Sequence, residues 1–122
     1  MPSFTEAPIS RMELIRYAAA SGDFNPIHLI DEEAERAGLP GIIAHGMLTV
    51  GKLARFFSDY LEQGFIEQYS ARFAGMVFLG DVITCHAKLT GSAGSDKIFS
   101  VTAVNQHNKV VVKGEIKFRM YT

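Results

Sequence analysis

The sequence predicts an α+β domain, a curved antiparallel sheet wrapped around one long central helix, with residues 1–122 forming a single unit. Three observations predict it. Helix start and stop signals crowd the first half of the chain. A broad apolar stripe runs from Gly46 to about Leu61. After Gly64 the apolar period drops to two.

Each element follows from its own local chemistry. Ser10-Arg11-Met12-Glu13 fits a capping box, in which the serine caps the third helical N–H and the glutamate reaches back. It opens a helix over about 11–20 that Ser21-Gly22 stops. Asn25-Pro26 repeats the grammar, a capping side chain followed by proline at the first helical position. Asp31 is expected to cap a short helix over 32–37, closed by Gly38 and Pro40. From Gly46 to about Leu61, Thr49, Lys52, Arg55, Asp59 and Glu62 form one polar stripe. Apolar residues including Val50, Leu53, Phe57 and Leu61 cover most of the remaining surface, which describes a helix buried on several sides.

The second half alternates. Tyr69, Ala71 and Phe73 share one face of a strand. Ile83, Cys85, Ala87 and Leu89 do the same in the next, followed by Phe99, Val101 and Ala103, and then by Val110, Val112, Ile116, Phe118 and Met120. Gly80-Asp81, Gly91–Gly94 and Gln106–Asn108 supply the turns. One-sided alternation with short turns predicts an antiparallel sheet with one wet face, whose apolar face the 46–61 helix must cover.

Composition narrows the function classes. Twelve Lys and Arg against thirteen Asp and Glu leave a net charge of −1, which argues against a general nucleic-acid binder. Residues 1–62 carry nine acids and five bases, and 63–122 four acids and seven bases, so a −4 half meets a +3 half. The basic sheet half, with Lys113, Lys117 and Arg119, is a candidate surface for an anionic carrier. No apolar run approaches the ~18 residues of a membrane span, and residues 1–9 lack a signal-peptide pattern. A single cysteine, Cys85, excludes an intrachain disulfide and suits a reducing, cytoplasmic setting. Its place on an apolar strand face makes it a core residue rather than a nucleophile. His86 and His107 are expected to be solvated. No HxxxH pair, CxxC or glycine-rich nucleotide loop is present, so neither metal nor cofactor is expected.

The densest polar group is Ser21-Gly22-Asp23-Phe24-Asn25-Pro26-Ile27-His28. Asp23 lies on the bend made by Gly22, and His28 falls in the first turn after Asn25. Fully extended chain would hold them ~16 Å apart, but the bend can bring carboxylate and imidazole to one water. A first-turn histidine facing the helix dipole is biased to the neutral ring that accepts a proton. The bland alternative is that Asp23 and Asn25 only cap and His28 lies on the surface. A second group, Ile42-Ile43-Ala44-His45-Gly46-Met47, leads into the central helix. Glycine at a helix start admits another molecule to free N–H groups that bind an oxyanion. The alternative is close packing at Gly46 and a satisfied buried His45.

These two strings together, with His45-Gly46-Met47-Leu48 following at the expected distance, resemble the MaoC-like family, the R-specific enoyl-CoA hydratases or hydratase 2 proteins. Ala44–Thr49 and Arg72-Phe73 are similar to the B subunit of mycobacterial 3-hydroxyacyl-ACP dehydratases within it. The resemblance spans essentially the whole chain and implies a hot-dog fold, in which a sheet curls around one helix. It implies catalytic roles for Asp23 and His28, an oxyanion N–H at Gly46, and a supporting Asn25. Ile43, His45 and Met47 are expected to line the substrate site. The implied reaction is reversible addition of water to a trans-2-enoyl-CoA or enoyl-ACP. A hot-dog thioesterase or a non-catalytic partner subunit are the alternatives. The family works as dimers or paired domains, so a homodimer or higher oligomer is expected. Only about ten residues precede the first helix, where the family often carries a longer strand, which leaves the sheet edge open.

Overall fold

In the computed structural model, which describes all 122 residues, the first capping signal acts where the sequence puts it. Ser10 Oγ accepts the Glu13 N–H at 3.1 Å and opens helix α1 (Arg11–Ser21). The box is only half closed, because the Glu13 carboxylate turns away to Lys52 Nζ at 2.9 Å. Gly22 ends α1 at φ 77°, a left-handed conformation that glycine adopts without strain, and its N–H reaches the Ala18 carbonyl. Asn25 Oδ1 accepts the Ile27 N–H, and Pro26 opens a single 3₁₀ turn, Pro26–His28. Helix α2 (Asp31–Arg36) starts one residue earlier than expected. Ile30 is its N-cap, and Asp31 pairs instead with Arg11 at 2.7 Å.

The long central helix is two pieces. Helix α3 (Gly46–Leu53) runs straight into a 3₁₀ segment, Ala54–Tyr60. The tighter winding turns both Phe56 and Phe57 inward. The polar stripe also departs from expectation, because Thr49 and Lys52 are buried while Met47, Tyr60 and Leu61 are exposed. Lys52 tolerates burial because Glu13 of α1 supplies the counter-charge.

The sheet has five antiparallel strands. Strand β1 (Phe4–Thr5), too short to register as a pattern, pairs with β3 (Thr84–Ala93) at one edge. Strand β4 (Asp96–Val104) follows, then β5 (Val110–Met120), and β2 (Gly64–Phe73) forms the other edge, giving the order β1-β3-β4-β5-β2. Register shifts between Ile66 and Gln68, Leu89 and Gly91, and Ala103 and Val104 bend the strands. The β3–β4 turn is tighter than expected: β3 continues through Gly91 to Ala93, and Gly94 turns the chain at φ 61°. Cys85, Ala87, Val101, Ala103, Val112, Ile116 and Phe118 face the helical layer. Phe57 stacks on Phe118 at 5.3 Å and meets Phe99 edge-on at 5.1 Å, which locks the 3₁₀ segment to the sheet. Leu89 and Phe73, expected inward, are exposed.

Candidate active site

The bend after α1 does what its residues require. Ser21 Oγ accepts the Asp23 N–H, and Asp23 Oδ1 accepts the Asn25 N–H, both at 3.2 Å. This folds the segment back so that Asp23 Oδ2 stands 3.9 Å from His28 Nε2. Asp23 is exposed, whereas His28 is only 8 % exposed.

The protonation geometry of His28 follows from its neighbours. Its Nδ1 lies 2.8 Å from the Ile43 carbonyl oxygen, which can only accept, so Nδ1 carries the hydrogen. In the neutral ring Nε2 is then a bare acceptor aimed toward Asp23. The helix-dipole argument does not apply, since His28 ends a three-residue 3₁₀ turn rather than opening an α-helix. A backbone carbonyl sets the tautomer instead.

His45 is the surprise of the site. It is 3 % exposed and donates Nε2–H to the Asp23 carbonyl at 2.9 Å. Its ring stacks on His28 with centroids 3.9 Å apart, and Tyr17 meets it edge-on at 4.9 Å. Its position before the glycine was visible in the sequence, but its three tertiary neighbours were not. Gly46 opens α3, and neither its N–H nor that of Met47 has an acceptor in the chain. A Cβ at Gly46 would come 2.7 Å from the Phe73 ring, so glycine is what lets β2 close over this helix start.

Asp23, His28, His45, Gly46 and Met47 line one cleft of about 400 Å³, together with Tyr17, Ser21 and Phe73. Ser21 and Phe73 lie in the quoted strings but carried no expected site role, and Tyr17 has no signal beyond its place on α1. Asn25 does not line the cleft, because its side chain is spent on the 3₁₀ turn. Ile43 lines a smaller adjoining cavity and contributes its carbonyl to His28. His86 accepts or donates to Ser3 Oγ at 2.6 Å on the far sheet edge, away from this cleft.

Asp23, His28 and His45 each offer one donor atom within 4.8 Å of the others. The hydrogen bonds of His28 Nδ1 to Ile43 and of His45 Nε2 to Asp23 leave His28 Nε2 and His45 Nδ1 as the two free ring nitrogens. Cys85 is fully buried, and burial, with Glu6 adding to it, pushes its thiol up to about 11. Tyr69 donates its hydroxyl to the Val50 carbonyl at 2.6 Å, and burial with Cys85 nearby raises it to about 12. Both belong to the core.

The model of a MaoC like domain matches residues 2–111. Fatty acid synthase subunit beta of Aspergillus oryzae is 33 % identical over 111 residues, which cover 87 % of this chain and 5 % of that protein. Enoyl-CoA hydratase ChsH3 of Mycobacterium tuberculosis is 33 % identical over 110 residues, covering 88 % of this chain and 37 % of that protein. The chain thus spans well under half the length of these relatives. The R-hydratase PhaJ1 of Pseudomonas aeruginosa superposes with a TM-score of 0.90 at 26 % identity, covering 98 % of this chain and 78 % of that one. Its neighbours share the hot-dog arrangement of curved sheet and covering helix. By fold and by sequence, the chain belongs to the MaoC-like domain family, a family of hydratases and dehydratases.

Proposed function

We propose that this chain adds water reversibly to a trans-2-enoyl thioester, giving the (R)-3-hydroxyacyl thioester. The observation that carries the reading is the 3.9 Å gap between Asp23 Oδ2 and His28 Nε2, both of them acceptors in the neutral tautomer. The gap is too long for a hydrogen bond but suits one water about 2.8 Å from each atom. That water donates a hydrogen to each group and turns its lone pairs out toward the cleft. As its oxygen bonds the β-carbon, His28 Nε2 takes a proton, and the Asp23 carboxylate stabilises the imidazolium. The proton returns to the α-carbon, so the elements of water end across the double bond. General acid–base work of this kind supplies ~10²–10⁴-fold.

The Gly46 N–H, at the start of α3, stabilises the thioester oxygen as it gains enolate charge. Ile43, His45 and Met47 flank the acyl group, and Asn25 supports the pair by shaping the turn that carries His28. The names of ChsH3, an enoyl-CoA hydratase, and PhaJ1, an R-hydratase, support this chemistry and its stereochemistry. The thioester is carried on CoA or an acyl carrier protein.

Strand β2 is an edge of ten residues with Phe65 and Phe73 exposed, which supports association of two copies. No helix is long and apolar enough to cross a membrane, and a lone free cysteine fits a reducing cytoplasm. The test is loss of enoyl ultraviolet absorbance with crotonyl-CoA. Asp23→Asn and His28→Ala should each abolish it, and near wild-type turnover by either variant sinks the assignment. Release of free thiol from a saturated acyl-CoA would point to a thioesterase instead. An inactive purified chain would point to a partner subunit.

A further inference from the structure

Two turns that the sequence marks only as connections, Gly80-Asp81 and Gln106–Asn108, meet at one buried carboxylate. Asp81 is 8 % exposed, an uncommon degree of burial for an acid. Its Oδ2 accepts the Phe78 N–H at 2.8 Å, and its own N–H donates to the Phe78 carbonyl at 3.0 Å. Its Oδ1 accepts from Gln106 Nε2 at 2.9 Å, while Gln106 Oε1 accepts the Val82 N–H at 3.0 Å. One residue thus holds both polar groups of the Phe78 backbone, and the β4–β5 turn braces that residue.

Phe78 is the antiparallel partner of Ile43. Two bonds flank the pair: Ala44 N–H to the Val77 carbonyl at 2.7 Å, and Leu79 N–H to the Ile42 carbonyl at 3.1 Å. They make Ile43 and Phe78 a non-hydrogen-bonded pair, in which each residue turns its own N–H and C=O away from the other. Phe78 turns its groups to Asp81, and Ile43 turns its groups to Ile27 and His28. The Ile43 carbonyl is the acceptor that fixes the hydrogen on His28 Nδ1. A hydrogen-bonded line therefore runs from Gln106 through Asp81 and the Ile43–Phe78 bridge to the His28 ring.

We propose that Asp81 and Gln106 are positioning residues for His28, holding the Ile43 carbonyl where it keeps Nε2 bare and aimed at Asp23. Neither residue lines the cleft, so they act only through the backbone between. The effect on rate rests on the hydratase reading of that cleft, whereas the tautomer of His28 tests the line independently.

The experiment exchanges donor and acceptor across the Asp81–Gln106 bond. Asp81→Asn keeps an oxygen for Phe78 but leaves two N–H donors facing each other, at Gln106 or, if that amide flips, at Val82. Gln106→Glu sets a second carboxylate against Asp81. The double variant reverses the 2.9 Å bond and keeps acceptors for both Phe78 and Val82. Each single variant should lower kcat for crotonyl-CoA at least ~10-fold with KM within a few fold, as a misplaced reacting group does. The double variant should return to within about threefold of wild type, as coupled neighbours do.

The ¹⁵N spectrum of histidine-labelled protein at about pH 8, above the ordinary histidine range, shows which ring nitrogen carries the hydrogen. The signal that His28→Ala removes should report Nδ1–H in the wild type and the double variant, and mixed tautomers in the single variants. A residue that only stabilises the fold would lower Tm and leave that signal unchanged. An unchanged tautomer in the single variants overturns the proposal. So does a kcat within about twofold of wild type, or a double variant no more active than either single one. If one single variant does not fold, the other decides against the double. If wild-type protein does not hydrate crotonyl-CoA, the hydratase reading falls and the tautomer still decides the positioning.

Discussion

Replacing His45 by Phe separates positioning from folding, because the two consequences have opposite sign. A phenyl ring keeps the stack on His28 and the edge contact with Tyr17. It loses the Nε2–H bond to the Asp23 carbonyl, worth about 1 kcal/mol. It also removes the unpartnered Nδ1, whose burial costs about 1–3 kcal/mol. The variant should therefore be as stable as the wild type or up to about 2 kcal/mol more stable. For a domain of this size that is a rise in Tm of 0 to ~8 °C. Activity moves the other way. The lost bond ties the exposed Asp23 to the start of α3, and its remaining ties to Ser21 and Asn25 lie within its own loop. A drift of about 1 Å at a reacting group costs up to ~10²-fold. We expect kcat for crotonyl-CoA hydration to fall ~10–100-fold with KM changed by no more than a few fold. Thermal unfolding and the absorbance assay on the same sample check both halves. A kcat within about twofold of wild type, or a Tm lowered by more than ~4 °C, refutes the reasoning.

Two further predictions concern the core. The Cys85 thiol and Tyr69 phenol both titrate higher folded than unfolded, at about 11 and about 12 against ordinary values of 9.0 and 10.0. Above pH 9 the unfolded chain sheds protons that the folded chain keeps, so stability is intact below pH 9 and declines from there to pH 12. Urea midpoints measured across that range should fall, and Cys85→Ala should flatten the early part of the decline. At the ion pair of buried Lys52 with partly exposed Glu13, Glu13→Ala strands Lys52 and should cost about 1–3 kcal/mol, whereas Lys52→Met removes the charge itself and should cost less. Chemical denaturation of the two variants compares them, and equal losses would contradict the account of Lys52.

Features that depend on neighbours within a few residues were legible in the sequence. Ser10, Gly22, Asn25 and Pro26 act as their side chains dictate, because caps and turns close over two to four positions. The period-two runs placed β3, β4 and β5, since alternation follows from the pleat. The Asp23–His28 pairing was legible too, the bend being encoded between them. The central helix was not. An apolar run rich in Phe fits 3.6 and 3.0 residues per turn equally well, and packing of Phe57 between Phe99 and Phe118 favoured the tighter winding after Leu53. Strand β1 escaped notice because two residues carry no period, and only pairing with Thr84 and Cys85 defines it. The buried Lys52 depended on Glu13, which sits on another helix.

The sequence by itself determined the layers, the turns and the nearness of Asp23 to His28. Tertiary structure alone decided how that pair is poised. The carbonyl that sets the His28 tautomer lies 15 residues away, and the carbonyl that His45 holds lies 22 residues away. Contacts at such separations exist only once the chain has closed its loops, so no local pattern records them. The same closure buries Thr49 Oγ1 and His45 Nδ1 without partners.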